Sequence, residues 1–284
     1  MVGSAQVKHL EKCNQILADA KATSTQGLFF KSGVFDFEDA LLMTISDASW
    51  AGEKLVINDR VFPRRSQYGF FTCLGDPDLW TSDEGYIHVI GWKSAIIKRQ
   101  CRSTFRAETM AMTYGTEAAT HLRAAIARMR GLFDKTGDWE SNCSKVMRHM
   151  WYTDCQSLHD YLVNPVAAGT EDKRLEIDLD ALRENLWFTA DDELKDNLDS
   201  DTDRNRPRWI DTSTMLADPF TKEGNDAFYE RLDTTMETGW LSLIPTPESE
   251  LKKLKQQKAR RDKALEKSNE DPEGDPSQDI DDDA

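Results

Sequence analysis

Four carboxylates stand in apolar or strand-end surroundings: Asp47 in TISDASWAG, Glu108 in STFRAETMAM, Asp154 in MWYTDCQ and Asp218 in MLADPFTK. An ionised carboxylate in such a setting is costly unless something compensates it. The chain carries 51 acidic residues, so an isolated Asp means little and the surroundings are what single these four out. In an α/β sheet, strand ends and the adjoining helix starts converge on one edge. Four carboxylates gathered there would repel one another, and one or more would hold a proton unless divalent cations neutralised them. Hard oxygen ligands suit Mg²⁺ or Mn²⁺ rather than zinc. Two such ions about 3.5–4 Å apart form a clamp for cleaving a phosphodiester. Each acid also has a plainer use, because strand-end Asp caps turns and helices and the helix dipole favours Glu in early turns. Composition and spacing leave both uses open.

The elements that must carry these residues alternate strand and helix. VKHLEKCNQILADAKA (7–22) spaces Val7, Leu10, Ile16 and Leu17 as a helix does. LLMTISDAS (41–49) reads as a buried strand ending at Trp50-Ala51-Gly52. SQYGFFTCLG and GYIHVIGWKS are β-rich runs joined by DPDLWTSDEG, whose Pro, Asp and Gly favour a hairpin loop. Ser103-Thr104 opens a long helix that ends at Gly131. HMWYTDCQ is a fourth strand and SLHDYLV a short helix. KRLEIDLDALRENLWF forms an amphipathic helix with Leu175, Leu179, Leu182 and Leu186 on one side. PRWIDTS gives a fifth strand, MLADPFTK helical turns, and AFYERLDTTMETGW a closing helix. This order predicts an α/β domain with a five-stranded mixed sheet flanked by helices.

Charge narrows the field further. The formal charge is −15 and the pI near 4.8, against a general DNA-coating or membrane-surface protein. Eight acids and no base fall in Ser268–Ala284, which reads as a disordered tail after a charged helix that begins near Pro245. TADDELKDNLDSDTDRNR (189–206) reads as an inserted acidic loop. Cys13, Cys73, Cys101, Cys143 and Cys155 form no C-x-x-C pair, which argues against a zinc site or a disulfide framework. No apolar run is long enough to span a membrane, and the N-terminus lacks the plan of a signal peptide. The expectation is an intracellular protein.

Taken in order, SDASWAG, SQYGFF, IGWKSAIIKRQCRSTFRAETMAM, YTDCQSLHDYLVNP and LADPFTK resemble the ribonuclease H domain of copia-type retrotransposon polyproteins. The likeness runs over roughly residues 7–240, and the order of its five segments is far more specific than any one of them. It implies a ribonuclease H-like domain at 41–244. Residues 1–40 are then the connection from a reverse transcriptase region, and 245–284 the charged helix and acidic tail. It also implies that Asp47, Glu108, Asp154 and Asp218 are catalytic and hold two Mg²⁺ ions, with Mn²⁺ as a substitute. Asp47 would bridge both ions, Asp218 would serve the ion that activates water, and Glu108 and Asp154 the one on the leaving 3′ oxygen. The implied activity is endonucleolytic cleavage of the RNA strand of an RNA/DNA hybrid. Implied partners are that hybrid and the reverse transcriptase portion of the polyprotein, in a cytoplasmic particle or in the nucleus, with no membrane. Arg174 and Asp178 stand where the family carries His and a base, and Cys155 replaces Asn. Two other readings stay open: a relic repurposed as an interaction module, and a nuclease of the same fold acting on DNA.

A hybrid presents two phosphate backbones. Lys93, Lys98, Arg99, Arg102 and Arg106 form the one concentrated basic patch, with no acid among them in sequence. Arg60, Arg64 and Arg65 form a smaller one. Ser103, Thr104 and Gln156 are candidate donors to phosphates or to the 2′-hydroxyls that distinguish RNA from DNA. Trp50 and Trp92 read as core aromatics.

Overall fold

The computed structural model of the chain describes residues 7–25, 27–57, 60–133, 146–164, 169–187, 205–222 and 226–270. Its sheet contains β1 (Leu41–Ile57), β2 (Arg60–Gly75), β3 (Glu84–Ile96), β4 (His149–Thr153), β5 (Asn205–Trp209) and β6 (Trp240–Ser242). The spatial order is β5-β4-β1-β2-β3-β6. β1 runs antiparallel to β2 and parallel to β4, β4 is parallel to β5, and β3 is antiparallel to β2 and β6. Leu41 to Ile45 are all buried, as a near-continuous apolar strand covered on both faces should be.

One cover is α2 (Thr104–Met129), which begins at a capping Ser103 and crosses the sheet at Gly115. A Cβ on Gly115 would lie 2.7 Å from the Thr44 methyl and 3.3 Å from Phe70 Cβ, so only glycine lets the helix come this close. Further cores form where Leu79, Met215, Leu216, Ala217 and Leu241 pack with β-strand residues such as Ile45, Phe71 and Ile87. Beside β4, α3 (Gln156–Val163) and α4 (Lys173–Trp187) form a further core. The leucine stripe Leu175, Leu179, Leu182 and Leu186 is buried there against Trp151, Leu158 and Leu162.

Several expectations need correction. β1 does not stop at Trp50-Ala51-Gly52: it continues to Ile57, with Glu53 opposite Arg65 and Val56 opposite Val61. A register shift between Ser49 and Glu53, with Ala51 at φ 58°, is the bulge that carries the ladder past Gly52. Trp50 and Trp92 are not core residues; they are 49% and 51% exposed. The sheet has six strands, not five, because Trp240–Ser242 leaves the closing helix α5 (Asp226–Thr238) and pairs with Glu84–Tyr86. The hairpin loop after β2 holds a 3-10 turn, Pro77–Trp80, whose Leu79 and Trp80 are buried. The N-terminal helix α1 (Val7–Ala22) forms, with Val7, Leu10, Ile16 and Leu17 exposed.

The chain divides after Ile244 into two compact units. The second contains α6 (Pro247–Glu270). The expected acidic loop, apart from its last residues, and the tail beyond residue 270 fall outside the described residues. Among those described, no helix is long and apolar enough to cross a membrane.

Candidate active site

The parallel register of β1 and β4 sets the first pair of acids. Ile45 is opposite Tyr152, so Asp47 and Asp154 each stand two residues beyond the last paired position, on the same sheet edge. Asp218 opens a 3-10 turn, Asp218–Phe220, which lies over β2. Each of the three aspartates offers one carboxylate oxygen, and these oxygens lie within 4.8 Å of one another. Glu108, in the second turn of α2, is 5% exposed and accepts from the Ala48 N–H. It is outside the 4.8 Å group but close enough to be perturbed by the charges of Asp47 and Asp154.

Close packing fixes the turn that carries Asp218. Gly69 pairs with Asp47 across the β1–β2 ladder, and it has no side chain to hold Phe220 away. The Phe220 carbonyl accepts from Gln67 Nε2 at 2.6 Å and from Ser94 Oγ at 2.5 Å. Thr221 Oγ1 donates to Asp47 Oδ2. Lys222 Nζ donates to Asp218 and lies 3.3 Å from Asp47 Oδ1. Asp154 is oriented by the Thr212 hydroxyl, while its carbonyl accepts from Trp209 Nε1 at 3.0 Å.

The electrostatics follow from this crowding. Burial, then the charges of Asp47 and Asp154, push the Glu108 carboxyl well above the usual carboxylate range. Burial and then Asp47 raise both Asp154 and Asp218. Burial alone would lower the Lys222 ammonium, but Asp47 and Asp218 override it and hold the lysine charged. One lysine against four acids leaves the site negative. Asp218 Oδ2 is buried with no hydrogen-bond partner, an orphaned acceptor that a cation would satisfy. Clustered carboxylate oxygens, with no sulfur or imidazole in the group among the described residues, make a donor set for Mg²⁺ or Mn²⁺.

The basic residues separate into two groups. Lys93, Lys98 and Arg102 are exposed, with Lys93 Nζ 5.9 Å from the Tyr68 ring centre. Arg99 is exposed but lies 3.5 Å from Asp178 of α4. Arg106 is only 6% exposed and pairs with Asp172, which also caps the N–H groups of Arg174 and Leu175. Arg106 therefore ties α2 to the start of α4. Ser103 accepts from the Arg106 N–H and keeps its own proton to donate, Thr104 is exposed beside it, and Gln156 donates to Asp160 at 2.6 Å. Arg60 and Arg64 are exposed on the β1–β2 ribbon, and Arg65 donates to the Lys98 carbonyl at 2.9 Å.

Sequence reasoning missed Thr221, Lys222, Gln67 and Ser94. The first two lay inside LADPFTK, where the i,i+4 spacing of Asp218 and Lys222 was a usable signal for an ion pair.

The fold and site thus define a mixed α/β protein with clustered acids at one sheet edge. No protein-family model and no curated protein matches the chain. Among solved structures it is similar to the N-terminal RNase H domain of a Mycobacterium tuberculosis protein, solved as a fusion with maltose-binding protein. That likeness has 12% identity and a TM-score of 0.36, over 69% of this chain and 99% of the other. It is also similar to the prototype foamy virus protease-reverse transcriptase, at 11% identity and a TM-score of 0.32, over 76% of this chain and 22% of that one. A third likeness, to the NurA nuclease from Sulfolobus solfataricus, has 11% identity and a TM-score of 0.22, over 65% and 55% of the two chains. At such scores these likenesses assign no activity.

Proposed function

We propose that this chain is a divalent-metal-dependent ribonuclease H of the copia retrotransposon type, cutting the RNA strand of an RNA/DNA hybrid. The observation that carries the reading is the convergence of Asp47, Asp154 and Asp218 within 4.8 Å, from three separate parts of the chain, around an unpartnered Asp218 oxygen. The strand order, with β1, β2, β3 and β6 antiparallel in turn and β4 and β5 parallel to β1, supports the ribonuclease H-like architecture that the resemblance implies.

Asp47, Asp154, Asp218 and Glu108 would hold two Mg²⁺ or Mn²⁺ ions. When bound, these supply charge stabilisation at the scissile phosphate and activation of the attacking water. The protein's own part is positioning. The Gly69 contact and the Gln67 and Ser94 hydrogen bonds fix the Asp218 turn against Asp47. Exposed Lys93, Lys98 and Arg102 bind backbone phosphates by charge, and Arg99 contributes after leaving Asp178. Ser103, Thr104 and Gln156 offer hydrogen bonds to 2′-hydroxyls. The partners are the hybrid and, in a polyprotein, the reverse transcriptase portion that produces it.

Purified chain incubated with a labelled RNA/DNA hybrid and Mg²⁺ or Mn²⁺ tests this. The RNA strand should be cut to products bearing a 5′ phosphate and a 3′ hydroxyl, and Asp47→Asn should abolish cutting. Intact hybrid under both metals sinks the enzymatic reading, and cutting of duplex DNA in preference to the hybrid redirects it to a DNA nuclease.

A further inference from the structure

Lys222 is the single basic group bonded to the aspartate cluster among the described residues. Its ammonium takes Asp218 Oδ1 and approaches Asp47 Oδ1, while the Thr221 hydroxyl takes Asp47 Oδ2. Both oxygens of the central Asp47 and one of Asp218 are therefore engaged by the chain itself. The aspartates have nowhere to go, since Asp47 and Asp218 side chains are 1% and 0% exposed. Lys222 is different: its side chain is 36% exposed and stands two residues past the Asp218–Phe220 turn, so its long stem can carry the charge outward into water.

From this asymmetry we propose that Lys222 is a built-in counter-ion for the aspartate cluster, one that a divalent ion must displace to bind. The inference rests on the reading of these aspartates as divalent-cation ligands. It assigns Lys222 as a positioning residue, not a catalytic one. Without a divalent ion, its charge keeps three mutually repelling carboxylates assembled at the sheet edge. When a divalent ion arrives, two like charges compete for the same oxygens, so the lysine lowers metal affinity while preserving the shape of the site. Thr221, which bonds Asp47 through a neutral hydroxyl, does not compete in this way.

The test is the affinity of the full chain for Mn²⁺ alone, read from the EPR signal of free Mn²⁺, with no nucleic acid and no turnover. Lys222→Met should bind the tightest ion at least about tenfold more strongly than wild type, because the competing charge is gone. Lys222→Arg, which keeps the charge, should stay within about threefold of wild type. Thermal melts add a second readout: without metal Lys222→Met should melt below wild type, and saturating Mn²⁺ should remove the difference. Equal or weaker Mn²⁺ binding by Lys222→Met, while wild type binds, overturns the counter-ion role and leaves the metal site standing. No binding by either protein overturns both. If Lys222→Met is unfolded without metal, far-UV circular dichroism takes over. Refolding by Mn²⁺ but not by NaCl of equal ionic strength supports the proposal, and failure to refold overturns it.

Discussion

Gly69 and Phe220 approach so closely that a Cβ on the glycine would lie 2.5 Å from Cβ of Phe220. Gly69 is also the cross-strand partner of Asp47, so one small residue sets the distance between the strand bearing Asp47 and the turn bearing Asp218. A methyl group here has no room unless the turn moves. Gly69→Ala should cost about 1–3 kcal/mol of stability by overpacking. It should slow hybrid cleavage by about 10²-fold through misplacement of Asp218. Urea denaturation and single-turnover kinetics check the two effects, and wild-type kinetics in this variant would contradict the positioning role.

The basic residues should separate by experiment as they do by burial. Lys98→Ala and Arg102→Ala, both at exposed positions, should weaken hybrid binding and each reduce the slope of log K against log salt by about 1. Arg106→Ala removes a buried guanidinium tied to Asp172 and should instead lower the melting temperature, with the salt slope nearly unchanged. Asp172→Ala should destabilise more than Arg99→Ala, because it leaves a buried charge unpaired whereas Arg99–Asp178 is largely solvent-exposed on the arginine side. Fluorescence anisotropy over a salt series and thermal melts distinguish the two groups.

A pH effect unrelated to the active site should come from His149 on β4. The Trp151 indole N–H donates to its Nδ1 at 2.8 Å, so Nε2 carries the proton and donates to Thr44 Oγ1 at 2.8 Å. Burial, then the nearby Arg123 charge, holds the folded pKa well below its ordinary 6.5. The unfolded chain therefore binds the proton more tightly. The stability is fully present above pH 6.5 and is lost as pH falls towards the folded value. Relative to His149→Gln, wild type should lose up to about 1.4 kcal/mol more per pH unit on acidification below that point. Urea midpoints for both proteins across pH 5–8 measure the difference, and parallel curves would contradict it.

Local pattern made much of this legible in the sequence. The apolar run Leu41–Ile45, the Ser103 cap and the leucine stripe of α4 are periodic features whose burial follows from chain-local physics. The four acids stood out because each interrupts such a run. What escaped was non-local. Lys222 meets Asp47 from 175 residues away, and no spacing rule reaches that far. The basic patch read as acid-free because Asp172, which caps α4, and Asp178, within it, come from elsewhere in the chain, and there they claim Arg106 and Arg99. The ribbon beyond Trp50 was hidden by Ala51-Gly52, which reads as a stop in sequence but forms a bulge that the pairing continues through. The Trp240–Ser242 strand is too short to announce itself against the helix before it.

The central claim is that the edge shared by β1 and β4 binds divalent cations, and anomalous diffraction from a crystal of the chain grown in MnCl₂ tests it most directly. A Mn²⁺ peak coordinated by oxygens of Asp47, Asp154 and Asp218 is the predicted result. A map with these side chains ordered and no anomalous peak among them, at a Mn²⁺ concentration that occupies other carboxylates of the same crystal, would contradict it.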